Sequence, residues 1–256
     1  MQTVLFILGI CFGSFANVLI DRLPFGENVL TGRSRCDFCK KKLRWFELIP
    51  ILSFFIQGGR CRGCRKKLSW QYPIVEFGMG LVALGVFGRI SIGKISMYQY
   101  IDIFGKLLLT LTFVVIFVTD FKYEIIPDSM IVLGIIGAGL TLAFPPFSPL
   151  HVFPYLLSGI GASVFFFFLY LITRSRGMGL GDVNLVYLLG LVLGFPNIVV
   201  SLYTAFLTGA LVGIILMVLG KKKLKSHVPF GPFLIFGASI ALLFGNEIIH
   251  WWSTII

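Results

Sequence analysis

Eight stretches of this chain are apolar over close to the length that crosses a bilayer: residues 2–20, 73–91, 101–119, 129–145, 152–173, 182–196, 197–219 and 231–249. A helix needs about 17–25 such residues to span the hydrocarbon. The spacing predicts an all-α polytopic membrane protein of about eight transmembrane helices. Composition agrees, with 57% hydrophobic and 13% charged residues, against about 45–50% and 25% in a soluble globule. The first run lacks a basic n-region and a small-residue cleavage site, so it is expected to be a retained helix rather than a signal peptide. "GFPNIVV" at 194–200 leaves open a tight turn or a kink between the sixth and seventh runs. Cys11, inside the first run, reads as a small core residue.

Lysine and arginine give the orientation, because they collect on the cytoplasmic side. With both termini outside, residues 21–72, Lys122, Arg174, Arg176 and the run 221–225 hold 19 of the 22 basic residues. The opposite side and nearby helix ends keep Arg89, Lys94 and Lys106. The net charge of +11 is therefore mostly topological, with affinity for anionic head groups as a by-product. No nucleic-acid partner is expected.

The segment 21–72 is the largest polar piece, a small cytoplasmic insertion between the first two helices. It carries "CDFC" at 36–39 and "CRGC" at 61–64, separated by 21 residues. Four thiolates from two tight turns suit tetrahedral zinc, with Cys36, Cys39, Cys61 and Cys64 as ligands. Two disulfides are the alternative, but a reducing compartment disfavours them. A basic zinc ribbon can bind nucleic acid; tethered to two helices, this one reads instead as a docking platform at the membrane surface.

Carboxylates are costly in lipid, which singles out two of the eleven. Asp120 ends the third run in "VIFVTDFKYEIIPDSM", and Asp182 begins the sixth in "GLGDVNL". The topology sends the third helix inward and the sixth outward, so both fall at the cytoplasmic face at matching depth. Two carboxylates held close cannot both ionise easily, which leaves one as a base for water and the other as an acid for the leaving group. That is the requirement of aspartic proteolysis. Taken singly, Asp182 reads equally as a helix cap and Asp120 as an interfacial residue beside Lys122. Asp128, after Pro127, reads as a cap for the fourth helix. Gly179 and Gly181 permit close backbone approach at the pair.

These residues resemble the type IV prepilin leader peptidases, or prepilin peptidase/N-methyltransferases, over nearly the whole chain. "GSFANVLIDRLP" at 13–24 resembles the family's N-terminal signature, and "CDFC" with "WFELIPILSFFIQGGRCRGCRKKLSWQYPIVE" at 45–76 its zinc-binding domain. "TDFKYEIIPD" at 119–128 and "GMGLGD" at 177–182 are similar to its two aspartate motifs, and "PFGPFL" at 229–234 to its C-terminal signature.

The resemblance implies that Asp120 and Asp182 are the catalytic pair in a bacterial inner-membrane enzyme. It implies pilin or pseudopilin precursors as substrates, cut after the glycine that ends a short basic leader. N-methylation of the new terminus from S-adenosylmethionine would follow. Glu27, Asp37, Glu47 and Glu76 are expected to help accommodate the basic leader. Gly58, Gly59 and Arg60 in "QGGRC" are a weak candidate for cofactor contact, with a turn feeding the second zinc knuckle as the alternative. Two positions depart from the family pattern: Asn184, where lysine is common, and Asp21, where an uncharged or aromatic residue is more usual.

The expected organisation is a first transmembrane helix over 1–20, a zinc-binding domain over 21–72 and a membrane peptidase domain over 73–256. The runner-up is a proton- or ion-coupled transporter with a regulatory zinc ribbon, whose acids would lie near mid-membrane. A zinc-ribbon membrane scaffold without chemistry is the third option, and it would have no need of two acids at equal depth.

Overall fold

A computed structural model describes residues 2–29, 31–36, 38–87, 97–143, 149–174, 178–220 and 229–255. Arg89, Lys94, Arg176, the run 221–225 and Asp37 lie outside the described residues. The described residues form α-helices with short 3-10 turns and two isolated antiparallel bridges. The chain divides into two compact units, Met1–Gln99 and Tyr100–Ile256.

In the first unit, α1 (Gln2–Arg22) and α3 (Gln71–Phe87) pack antiparallel. Their backbones nearly touch: a Cβ on Gly13 would stand 2.6 Å from the Cα of Glu76. Between lipid-embedded helices the driving force is packing, which small residues make possible. Asp21 locks the end of this pair. Its carboxylate accepts from the Tyr72 hydroxyl at 2.9 Å and from the Gln71 amide at 3.3 Å, tying the end of α1 to the start of α3. Asn17 adds a bond from its amide to the Tyr72 carbonyl at 3.1 Å. Cys11 is exposed on α1. That corrects its reading as a core residue, because the face of α1 that meets α3 is the one carrying Gly9, Gly13 and Asn17. Between the two helices lie the polar insertion and the five-residue α2 (Leu52–Ile56).

The second unit holds α4 (Met97–Tyr123, entering the unit at Tyr100), α5 (Asp128–Leu142), α6 (Pro149–Ile172), α7 (Leu180–Leu193), α8 (Asn197–Val218) and α9 (Gly231–Ile255). α7 is its centre: it packs along α6 and touches α5, α8 and α9, with nine of its 14 residues buried. A helix largely enclosed has little polar face to show, which is why its sequence is apolar apart from Asp182 and Asn184 in the first two turns. α7 ends at Gly194, whose φ of +66° lets the chain turn into α8 three residues later. The "GFPNIVV" segment is thus a tight turn.

The eight apolar runs correspond to α1 and α3–α9. Five of these helices are long and apolar enough to cross a membrane by length and composition, while α3, α5 and α7 are apolar but shorter.

Candidate active site and metal centre

Among the described residues of the second unit, Asp120 and Asp182 are the only buried carboxylates, 5% and 8% exposed. Asp120 sits in the last turn of α4 and Asp182 in the first turn of α7, near enough for the Asp182 charge to bear on Asp120. Their placement at helix ends is what the sequence predicts for a pair at one face.

Each carboxylate is held by a glycine amide. Asp182 occupies the third helical position of α7 rather than the cap itself. Its Oδ2 reaches back to accept from the Gly179 N–H at 3.0 Å. Asp120 Oδ2 accepts from the Gly231 N–H at 2.8 Å, across 111 residues of sequence. That amide is one of the free donors at the start of α9, where the helix dipole also favours a negative charge.

"PFGPFL" thereby acquires a structural reason. Phe230 packs among Phe166, Phe206 and Phe233, with ring centroids 6.2, 5.3 and 6.3 Å away, and so fixes the entry into α9. Gly231 supplies the donor, and a Cβ there would fall 2.7 Å from Asp120 Oδ2. Pro232 lies in the first turn, where its missing N–H costs nothing. The sequence offered the motif but no signal that its amide meets Asp120.

Of the two motif glycines, Gly181 makes the expected close approach, with a Cβ there 3.0 Å from Ile126. Gly179 contributes its N–H instead. Asp128 is the exposed first residue of α5, with Pro127 in the cap position and no side-chain cap bond. Asn184 is exposed on α7, as is Leu180 at the helix start.

In the first unit, the Sγ atoms of Cys36, Cys39, Cys61 and Cys64 all lie within 4.8 Å of one another. The Cys36–Cys64 and Cys39–Cys61 separations are both 3.9 Å. Zinc–sulfur bonds of about 2.3 Å place tetrahedral thiolates about 3.8 Å apart, so the cluster fits that ion. All four cysteines are free in the structure, and their separations suit a shared metal ion rather than two disulfides.

The two knuckles are copies: "RCDFCKKKL" at 35–43 and "RCRGCRKKL" at 60–68. Cys36 N–H donates to Lys41 O and Cys61 N–H to Lys66 O, both at 3.0 Å. Lys40 and Arg65, at φ 55° and 57°, make the matching left-handed turn. Aligning the two C-x-x-C segments would have revealed the repeat. Backbone N–H groups of Cys64 and then Gly63 aimed at Cys61 Sγ lower that thiol to about 7, a bias toward the thiolate a metal requires.

The acids expected near a basic leader are engaged internally. Glu47 is buried, accepts from the Arg44 N–H at 2.7 Å and faces Lys41 at 4.0 Å. Glu76 is buried and accepts from the Ile51 N–H at 2.7 Å. Glu27 pairs with Arg35 at 3.2 Å. Gly58 and Gly59, at φ 59° and 63°, form the turn into the second knuckle. Their amides and that of Arg60 are bonded to Phe55, Phe54 and Gln57 carbonyls, so they present no cradle for a cofactor.

Apolar helices, a buried aspartate pair and a polar insertion whose four cysteines could hold a metal ion are the features a membrane aspartic peptidase would have. Known proteins agree. Residues 7–90 match the model of the bacterial peptidase A24 N-terminal domain, and residues 107–214 that of the type IV leader peptidase family. The chain is 30% identical to a prepilin leader peptidase/N-methyltransferase of Aeromonas hydrophila, covering 98% of this chain and 93% of that one. It is 29% identical to the Bacillus subtilis protein of the same name over 98% of both chains. A Myxococcus xanthus relative with that name is 34% identical over 83% of this chain and 62% of its own length. No solved structure matches. The chain belongs to the type IV leader peptidase family, and the transporter alternative finds no support.

Proposed function

We propose that the chain is a membrane aspartic endopeptidase that removes the leader of type IV prepilins or pseudopilins after glycine, with Asp120 and Asp182 as the catalytic carboxylates. The observation that carries this reading is the buried pair, each acid anchored through Oδ2 by a glycine amide. Anchoring one oxygen of each acid leaves the two Oδ1 atoms to share a proton and orient water. One carboxylate takes a proton from the attacking water, and the other delivers one to the departing amine. The scissile bond must be extended, because a helical carbonyl is already bonded; cutting just outside the membrane avoids much of the unwinding.

In this reading all eight apolar helices span the bacterial inner membrane with both termini outside. The cysteine cluster and the aspartates then lie on the cytoplasmic side. By chemistry, 1–20 is the first spanning helix, 21–72 the zinc-binding domain and 73–256 the peptidase domain, whereas packing divides the chain between Gln99 and Tyr100. Zinc held by the four cysteines would be structural. The relatives' name includes N-methyltransferase, and in this reading the new terminus would then be N-methylated from S-adenosylmethionine, bound elsewhere than at the bonded amides of Gly58, Gly59 and Arg60.

The test is cleavage of a peptide with a basic leader, a glycine and a hydrophobic helix by the full chain in nanodiscs. Asp120→Ala and Asp182→Ala, folded and inserted, should each lose about 10²–10⁴-fold in rate, and Asp128→Ala little. Near wild-type cutting by either of the first two sinks the dyad. The mass of the product, with and without S-adenosylmethionine, decides methyl transfer separately.

A further inference from the structure

α2 is too short to fold by itself, so its apolar residues need a tertiary reason. Phe54 turns inward, while Leu52, Phe55 and Ile56 share the opposite face, and Phe55 and Ile56 are 61% and 70% exposed. Glu76 of α3 accepts from the Ile51 N–H, which fixes the start of α2 beside the spanning pair. Trp70, 61% exposed, stands within 6.3 Å of the Phe55 ring and 5.0 Å of the Phe54 ring.

Trp70 also begins a stripe. Ile74, Phe77 and Leu81 follow it along one face of α3, all at least half exposed, with Phe77 also meeting Phe6 of α1 edge-on at 5.8 Å. On a spanning helix that stripe meets acyl chains, so the bare face of α2 continues a surface already assigned to lipid. A tryptophan at this junction is where membrane proteins place one. The chain then leaves α2 directly into Arg60, Arg65 and Lys67, exposed and without an ion-pair partner among the described residues. An apolar face flanked by cations is the make-up of an element lying in the headgroup layer.

We propose that α2 and Trp70 form an interfacial anchor that seats the metal-binding insertion on the anionic leaflet, with Leu52, Phe55 and Ile56 at the acyl boundary and the second knuckle's cations on lipid phosphates. This rests on α3 spanning the bilayer, as the function proposed above requires.

The experiment uses the full chain with its four tryptophans replaced by phenylalanine and a single reporter, Phe55→Trp or Phe77→Trp. Each is reconstituted in phosphatidylcholine nanodiscs with or without phosphatidylglycerol, using lipids brominated at shallow or deep positions. Deep bromines should quench Phe77→Trp and shallow ones Phe55→Trp. Changing Arg60, Arg65 and Lys67 to Gln should cut the Phe55→Trp quenching in the anionic discs at least twofold. If Phe77→Trp is quenched but Phe55→Trp is not, the anchor is wrong while the spanning helix stands; if neither is quenched, the spanning helix itself fails. Equal Phe55→Trp quenching with and without phosphatidylglycerol overturns the anionic assignment. A reporter silent to lipid but shifted by a basic leader peptide makes the face a substrate surface instead.

Discussion

The N–H of Gly231 donates to Asp120 Oδ2 at 2.8 Å, joining the first turn of the last helix to the last turn of α4. A hydrogen bond to a charged acceptor is worth about 1.5–3 kcal/mol. Gly231→Ala pushes a methyl group into that oxygen and should lower kcat about 10- to 100-fold with KM little changed. Gly245→Ala, on the same helix, meets Asn197 Oδ1 at 2.5 Å; it should lower the unfolding temperature and leave kcat nearly intact. Equal kcat losses in the two variants would reduce Gly231 to ordinary packing.

Glu76 should matter for the insertion through the Ile51 amide. Glu76→Ala leaves that N–H without its acceptor, a loss of about 1–3 kcal/mol. Limited proteolysis near residues 45–60 should accelerate, whereas Glu76→Gln, which keeps an acceptor, should lose less than half as much. Identical digestion of all three proteins would remove this role.

The purified, reduced chain should carry one zinc ion, read by native mass spectrometry. Cys36→Ser with Cys61→Ser removes a ligand from each knuckle and should abolish retention. A reduced wild-type protein free of metal contradicts the assignment.

Tyr72→Phe deletes one bond to Asp21 and should cost about 0.5–1.5 kcal/mol. Asp21→Ala releases both Tyr72 and Gln71 and should cost more, measured by thermal unfolding in nanodiscs. A Tyr72→Phe protein less stable than Asp21→Ala would mean the hydroxyl acts elsewhere.

The helices were legible because lipid demands long apolar runs, and the end of each run is a change of solvent. The two buried aspartates at helix ends were legible because a carboxylate in such a run is costly, and helix direction predicts that Asp120 and Asp182 share one end. The cysteine cluster followed from ligand spacing. Gly231 was not legible: which helix end meets Asp120 is a tertiary fact, and a backbone amide has no residue signature. Asp21 looked anomalous because its partners Gln71 and Tyr72 lie 50 and 51 residues later. Glu47, in the basic loop, and Glu76, just past it in α3, misled because an acid beside so many cations reads as a surface charge, whereas both are buried and accept from backbone amides.

Because Asp120 waits on a donor 111 residues downstream, the aspartate site is completed late in translation. Synthesis proceeds at about 5–20 residues per second, so several seconds separate the emergence of the acid from that of its clamp. A ribosome-bound chain ending before α9 has both aspartates but not the Gly231 anchor. Under the function proposed above, such a nascent chain should cut more slowly than the full chain until α9 has joined it.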